Sequence, residues 1–237
     1  MSINSAGVLP CVYNKETHKY SLILGQEIHQ KNISNKWSDF GGKCNKTETF
    51  LEGAIREANE EMLEIFTKEE ILSYVKRENT KHVIFKDQNY IYKMYIIFID
   101  SDDKNYNKFL NLAYSFRHVL GEELFIKLKN TNDARSYYSW MKQNNEYNII
   151  LGYNTDTEKN TLLKKANVEK KDICIVNLDN IKYYLDYKKT IVTDNIMRSL
   201  ILRDSFEYIL TLINEKGVFN NVFNINQKTF EINVGDL

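Results

Sequence analysis

Between Thr49 and about Phe66, Leu51, Ala54, Ile55, Ala58, Met62 and Ile65 recur at helical spacing, which predicts an amphipathic helix with one apolar stripe. Such a stripe has to be covered by another layer of structure. Upstream lie two short β-rich runs, Val8 to Tyr13 and Tyr20 to Gly25, separated by the polar residues Asn14 to Lys19, a pattern that predicts antiparallel pairing. A polar segment, Gln26 to Asn35, leads into Lys36 to Lys43, where Gly41-Gly42 admit backbone geometry that a β-carbon would obstruct. A special loop is expected there. Strand, strand, loop, helix is the order of an α/β fold.

The remainder extends that reading. His82 to Lys86 and Tyr90 to Ile99 are predicted strands joined by Asp87-Gln88-Asn89, the second strongly β-branched and aromatic. Residues 106–128 and 134–144 have mostly helical spacing, so residues 101–170 are expected to form a helical insertion. Ile173 to Leu178 predicts a short strand. A terminal helix is predicted over Asp194 to Asn214, with Ile196, Leu200, Ile201, Phe206, Ile209, Leu210 and Ile213 on its apolar side. No internal repeat or Pro-rich linker divides the 237 residues. One domain over 1–237 is expected.

Composition excludes several classes. Hydrophobic residues make 43% of the chain and charged residues 27%, too apolar for a disordered segment. Thirty-two Lys and Arg balance 32 Asp and Glu, so overall charge recruits neither a nucleic-acid backbone nor an anionic membrane. Cys11, Cys44 and Cys174 are too few and scattered for a disulfide framework or a zinc site. No apolar run approaches a membrane span, and the N-terminus lacks the pattern of a signal peptide. A soluble, unprocessed protein in the cytoplasm is the expectation. Lys164-Lys165, Lys170-Lys171 and Lys188-Lys189 are expected at the solvated surface.

The chemistry is concentrated at the predicted helix. At roughly 100° per residue, Glu57, Glu60, Glu61 and Glu64 converge beside the apolar stripe. Like charges at this spacing cost about 0.2 to 0.5 kcal/mol each, so the cluster calls for solvent or a counterion. An acidic helix face is ordinarily just solvated. Here, however, Gly41-Gly42 stand immediately upstream, with backbone open to a cation and close approach to a phosphate, and Lys43 able to neutralise phosphate oxygens. Carboxylate oxygens are hard ligands and favour Mg²⁺ or Mn²⁺. Cys44 lies beside the loop without a His partner pattern, and Trp37 and Phe40 are expected in the core rather than on a base.

Gly42, Glu48, Arg56, Glu57, Glu60 and Glu61 are spaced as G-x5-E-x7-R-E-U-x-E-E, where U is a bulky aliphatic residue, and in this the chain resembles the Nudix hydrolase family. Ala58 is smaller than the usual aliphatic, and Leu63-Glu64 replace the closing Gly-aliphatic pair, so the helix is expected to continue where the family ends it. With its nonstandard insertion, the chain is also similar to members from large DNA viruses. The resemblance implies a Nudix-like α/β/α sandwich with a mixed sheet, and Mg²⁺- or Mn²⁺-dependent hydrolysis of a nucleoside diphosphate-linked substrate by water attack at phosphorus. It further implies that Glu57 and Glu61 are metal ligands, with Glu60 and the Gly41 carbonyl completing the set. Arg56 and Glu48 would organise the catalytic glutamate, while Gly42 and Lys43 would meet substrate. Within the family, release of m7GDP from capped RNA is an alternative activity, and a noncatalytic nucleotide-binding module is a third reading. Glu122, Glu123, Glu158, Glu169 and Asp172 are candidates for a distant general base. Tyr137, Tyr138 and Trp140 are expected to pack within the insertion.

Overall fold

The computed structural model describes residues 3–27, 36–62, 66–103, 106–107, 170–187, 191–192, 199–215, 217, 219 and 229–233. Eight strands form one mixed sheet: β1 (Ile3–Asn14), β2 (Lys19–Glu27), β3 (Trp37–Ser38), β4 (Phe40–Lys43), β5 (Lys81–Asp87), β6 (Tyr90–Asp100), β7 (Lys170–Asn177) and β10 (Thr229–Asn233). Their order is β10-β5-β6-β1-β2-β3, with β4 also on β1 and β7 also on β2. The pair β8 (Ile191–Val192) and β9 (Ser199–Leu200) stands apart.

The alternation of side chains explains the layers. In β6, Tyr95, Ile97 and Ile99 join a core beneath α1 (Phe50–Glu61) and α2 (Lys68–Val75), while Tyr92, Met94, Ile96 and Phe98 join a second core beneath α3 (Leu178–Tyr187) and α4 (Asp204–Glu215). A strand buried on both faces has no polar alternation to show, which is why Tyr90 to Asp100 reads as a nearly continuous apolar run. The expected α/β/α sandwich with a mixed sheet is present. Its mixed character centres on β1, which pairs parallel with β6 along one edge and antiparallel with two strands along the other.

That second edge forks. Ser5 to Val8 pair with β4, whereas Cys11 to Asn14 pair with β2. Leu9 and Pro10 fall in the gap, so the missing N–H of the only proline costs no ladder bond on that edge. Past the fork, β2 carries β7 and β3, and the motif loop of β4 lies against the N-terminal half of β1.

Several boundaries differ from the sequence reading. The helix predicted to reach Phe66 ends at Glu61, with Met62 as its C-cap, so it does not run on as expected. A fresh capping box, Thr67 with Glu70, nucleates α2 immediately afterwards, and Asn59 Nδ2 donates to the Phe66 carbonyl at 2.7 Å, tying the connection back. Lys36 to Lys43 holds β3 and β4 rather than loop alone. The strand predicted at Ile173 begins at Lys170, and Leu178 opens α3 instead of closing the strand. The terminal helix begins at Asp204, because residues 199–203 are extended: Leu200 lies in β9, Leu202 bridges to Trp37, and Arg203 N–H donates to the Trp37 carbonyl at 2.8 Å. Apart from Tyr106 and Asn107, the helices predicted at 106–128 and 134–144 lie outside the described residues, as do Leu63, Glu64 and the aromatic group of 137–140.

Candidate active site

The motif folds locally into a clamp around one guanidinium. Thr49 caps α1, its hydroxyl accepting from Glu52 N–H while Glu52 accepts from Thr49 N–H, so the first turn is fixed relative to the loop. Two turns on, Arg56 donates from Nε to Glu48 Oε1 at 2.7 Å and from a terminal nitrogen to Glu48 Oε2 at 3.0 Å, a forked pair. The same guanidinium reaches the Lys43 carbonyl at 3.0 Å, Glu57 Oε1 at 2.9 Å and Glu60 Oε2 at 3.3 Å. Asn45 N–H donates to Glu48 at 2.8 Å and closes the loop on the clamp. The hydrogen bond from Arg56, foremost among the causes, lowers the Glu48 carboxyl to about 2, and the same carboxylate raises Arg56 in turn.

Glu57 and Glu61, one turn apart, both line a cavity of about 400 Å³ together with Gly41, Gly42 and Lys43. A β-carbon at Gly42 would lie 2.7 Å from the Glu57 carboxyl group, so glycine is what lets that carboxylate lie against the β4 backbone. Glu61 is buried, and one of its oxygens accepts from Gly41 N–H at 2.7 Å. Glu60 takes a different course. It is the most exposed of the described members of the acidic group at 40%, turned to Arg56, and it does not line the cavity.

Behind Glu61 sits a buried polar cluster that the sequence reading missed. Lys170 lies 2.7 Å from Glu27 Oε1, 2.8 Å from Ser38 Oγ and 3.3 Å from Glu61 Oε1. Ser38 donates to Glu27 at 2.7 Å, and Arg203 approaches Glu27 at 3.4 Å. Burial pushes Lys170 toward its neutral form, but the attraction of Glu61 and Glu27 outweighs it and holds the ammonium above its ordinary value. Glu27 shows the converse, its carboxyl lowered because Lys170, Ser38 and Arg203 together overcome its burial. Asp39, which also lines the cavity, is raised by burial against the opposing hydrogen bond from Tyr92. Tyr92 is itself raised well above its usual value by burial and by Asp39. Lys170, expected at the surface from its Lys-Lys pairing, is 2% exposed. No signal in the sequence marks it, since Lys171 and Asp172 separate it from the apolar run that starts at Ile173.

Glu48, Arg56, Glu57, Glu61, Gly41, Gly42 and Lys43 therefore lie along one side of α1, with Glu60 turned outward. Mg²⁺ is typically held by one or two carboxylates plus substrate phosphates rather than by a complete protein cage. Glu57 and Glu61 on one cavity wall fit that pattern, and among the described residues no group of three or more His, Cys, Asp or Glu side chains forms a cage. Gly41 offers its N–H to Glu61, which leaves the expected role for its carbonyl a separate matter. Trp37 and Phe40 are buried in the core, as expected, and Cys44 is buried with its thiol raised by desolvation. Of the distant-base candidates, Glu122, Glu123, Glu158 and Glu169 lie outside the described residues, and Asp172 pairs with Gln26 in the β7 ladder. No helix among the described residues is long and apolar enough to cross a membrane.

The family model of the NUDIX domain matches residues 3–140. Among curated proteins, none matches this sequence. Similar solved structures include a MutT/nudix family protein from Enterococcus faecalis, with 21% identity and a TM-score of 0.33, aligned over 42% of this chain and 37% of that one. A NUDIX hydrolase from Nitrosomonas europaea aligns over 98% of this chain and 80% of its own, with 12% identity and a TM-score of 0.42. A mutT/nudix family protein from Listeria innocua aligns over 92% and 97% respectively, with 8% identity and a TM-score of 0.36. The chain thus spans little more than a third of the Enterococcus protein.

Proposed function

This chain belongs to the Nudix hydrolase family, and from that membership we propose that it is a Mg²⁺- or Mn²⁺-dependent pyrophosphohydrolase, cleaving a nucleoside diphosphate-linked substrate by water attack at phosphorus. The observation that carries the reading is the placement of Glu57 and Glu61 on one wall of the cavity beside Gly42 and Lys43, with Arg56 tying Glu48 and Glu57 together. We take residues 1–237 as one domain with the expected insertion at 101–170, whose last residue, Lys170, opens β7.

Glu57 and Glu61 would hold the cation, with the Gly41 carbonyl as a backbone ligand, while Glu60, turned to Arg56 and outside the cavity lining, would act on it through water. When bound, the cation withdraws charge from the phosphate oxygens and eases ionisation of the attacking water. Arg56 holds Glu57 in place through a 2.9 Å contact, and Glu48 fixes Arg56, so that orientation is set before substrate arrives. Lys43 neutralises phosphate oxygens at the cavity mouth. Water oxygen bonds to one phosphorus as the bridging P–O bond breaks, Glu57 accepts the water proton, and the second phosphate departs with the bond pair. The substrate class is a nucleotide-derived diphosphate.

The test is a screen of free nucleoside triphosphates, ADP-ribose, dinucleoside polyphosphates, diphosphoinositol phosphates and capped RNA with Mg²⁺ and with Mn²⁺, read by product mass. Turnover of a free nucleotide substrate with metal dependence, and its loss in Glu61→Gln, is the expected result. Release of m7GDP from capped RNA alone would establish the decapping alternative. Ligand-induced thermal stabilisation without any product would favour a noncatalytic module, and full activity in Glu61→Gln would overturn the assignment of Glu61.

A further inference from the structure

Glu61 is held from two sides. Gly41 N–H takes one carboxylate oxygen at 2.7 Å, and Lys170 approaches the other at 3.3 Å from β7. We propose that Lys170 is a positioning residue for the reaction, fixing the angle at which the Glu61 carboxylate faces the cavity. This rests on the pyrophosphohydrolase reading.

Two features of the sheet place Lys170 there. It is the first residue of β7 and pairs with Glu27 where the β2 register shifts between Gln26 and Glu27. Irregularities of this kind re-aim side chains beside active sites. In addition, a β-carbon at Gly25 would come within 2.9 Å of the Lys170 Cγ and Cδ atoms, so glycine leaves the space through which the lysine stem passes. The ammonium has three donors. The short contacts, 2.7 Å to Glu27 and 2.8 Å to Ser38, anchor it, and the longer one reaches Glu61. Buried ion clusters add little stability compared with apolar packing; what this one supplies is a fixed orientation behind a carboxylate that meets the cavity.

The decisive variant is Lys170→Met/Glu27→Gln, which removes one positive and one negative charge. Cluster charge is unchanged, and because Glu27 itself lines the cavity, Glu27→Gln is measured beside the double variant so that the additional loss reports position. Mn²⁺ binding without substrate, followed by electron paramagnetic resonance, is expected to weaken roughly 10- to 100-fold. On the substrate found in the screen, kcat is expected to fall over a similar range with KM little changed. The melting temperature should stay close to that of the unaltered protein. Lys170→Arg, which restores the charge but with a planar head, should recover part of the Mn²⁺ affinity. A folded double variant that matches the unaltered protein in both Mn²⁺ affinity and kcat would overturn the proposal. If the double variant does not fold, Ser38→Ala loosens the ammonium without removing charge: Mn²⁺ binding about fivefold weaker, the worth of one hydrogen bond, supports the proposal, and unchanged binding overturns it. Glu61→Gln separates the two levels. Unaltered protein that binds no Mn²⁺ and turns over nothing defeats the underlying reading, whereas loss of binding in Glu61→Gln with unchanged binding in the double variant defeats only the role of Lys170.

Discussion

Two cations grip the acidic side of α1, and they are built in opposite ways. Arg56 belongs to the helix it serves, reaches Glu48 eight positions away and Glu60 four positions away, and is 21% exposed. Lys170 comes from a strand on another part of the sheet, 143 positions from Glu27 and 132 from Ser38, and is 2% exposed. The difference teaches that one charge site can combine a local, partly hydrated clamp with a remote, dry one, and that the two should respond differently to the same kind of damage.

The largest expected effect comes from the dry side. Lys170→Met leaves two buried carboxylates without their ammonium, and chemical denaturation should show a loss of about 3–5 kcal/mol. A loss under about 1 kcal/mol would put this cluster on a par with exposed ion pairs and erase the contrast. Next is a change aimed at the hydrated side. Gly42→Ala places a methyl group against the Glu57 carboxylate, the end of a flexible side chain that can swing aside. Stability should barely change while kcat falls about 100-fold, the cost of roughly 1 Å of misplacement; equal activity in steady-state assays would detach Glu57 from the chemistry.

Smaller effects sharpen the comparison. Thr49→Ala removes the cap that fixes the first turn of α1 and should cost about 1 kcal/mol by thermal denaturation. Acid titration examines Glu48 directly. Its folded carboxyl titrates at about 2 against an ordinary 4.5, so its contribution is complete above about pH 4.5 and disappears as the pH falls through 4.5 toward 2. Glu48→Gln has no such contribution to lose, and its melting temperature should therefore fall less steeply than that of the unaltered protein between pH 5 and pH 2. Parallel acid limbs would show that the clamp contributes no pH-dependent stability.

The same contrast explains what could be read from the chain. The Arg56 clamp was legible through the family resemblance, which gives Arg56 and Glu48 the task of holding the catalytic glutamate; helical spacing covers Arg56 and Glu60 but not Glu48, which lies in the preceding loop. The strands β1, β2, β5 and β6 were legible too, since their apolar runs are long and bounded by polar turns. Lys170 was not, because a lysine beside another lysine carries no mark of burial until β2 and β7 are paired. Asp39 and Tyr92 share that invisibility, being 53 positions apart. The end of α1 was misjudged because its apolar spacing runs past Met62, while the Thr67–Glu70 capping box that begins the next helix is a purely local competitor. Likewise, Leu200 keeps helical spacing with Ile196 in the sequence although residues 199–203 run extended beside Trp37.

The divided edge of β1 gives these two grips a common mechanical frame. Its N-terminal half carries Gly41, and its C-terminal half carries, through β2, the strand that bears Lys170. Glu61 is thus gripped by the two arms of a pair of tongs whose pivot lies at Leu9 and Pro10, and a strand displacement at that pivot would alter both holds on the carboxylate at once.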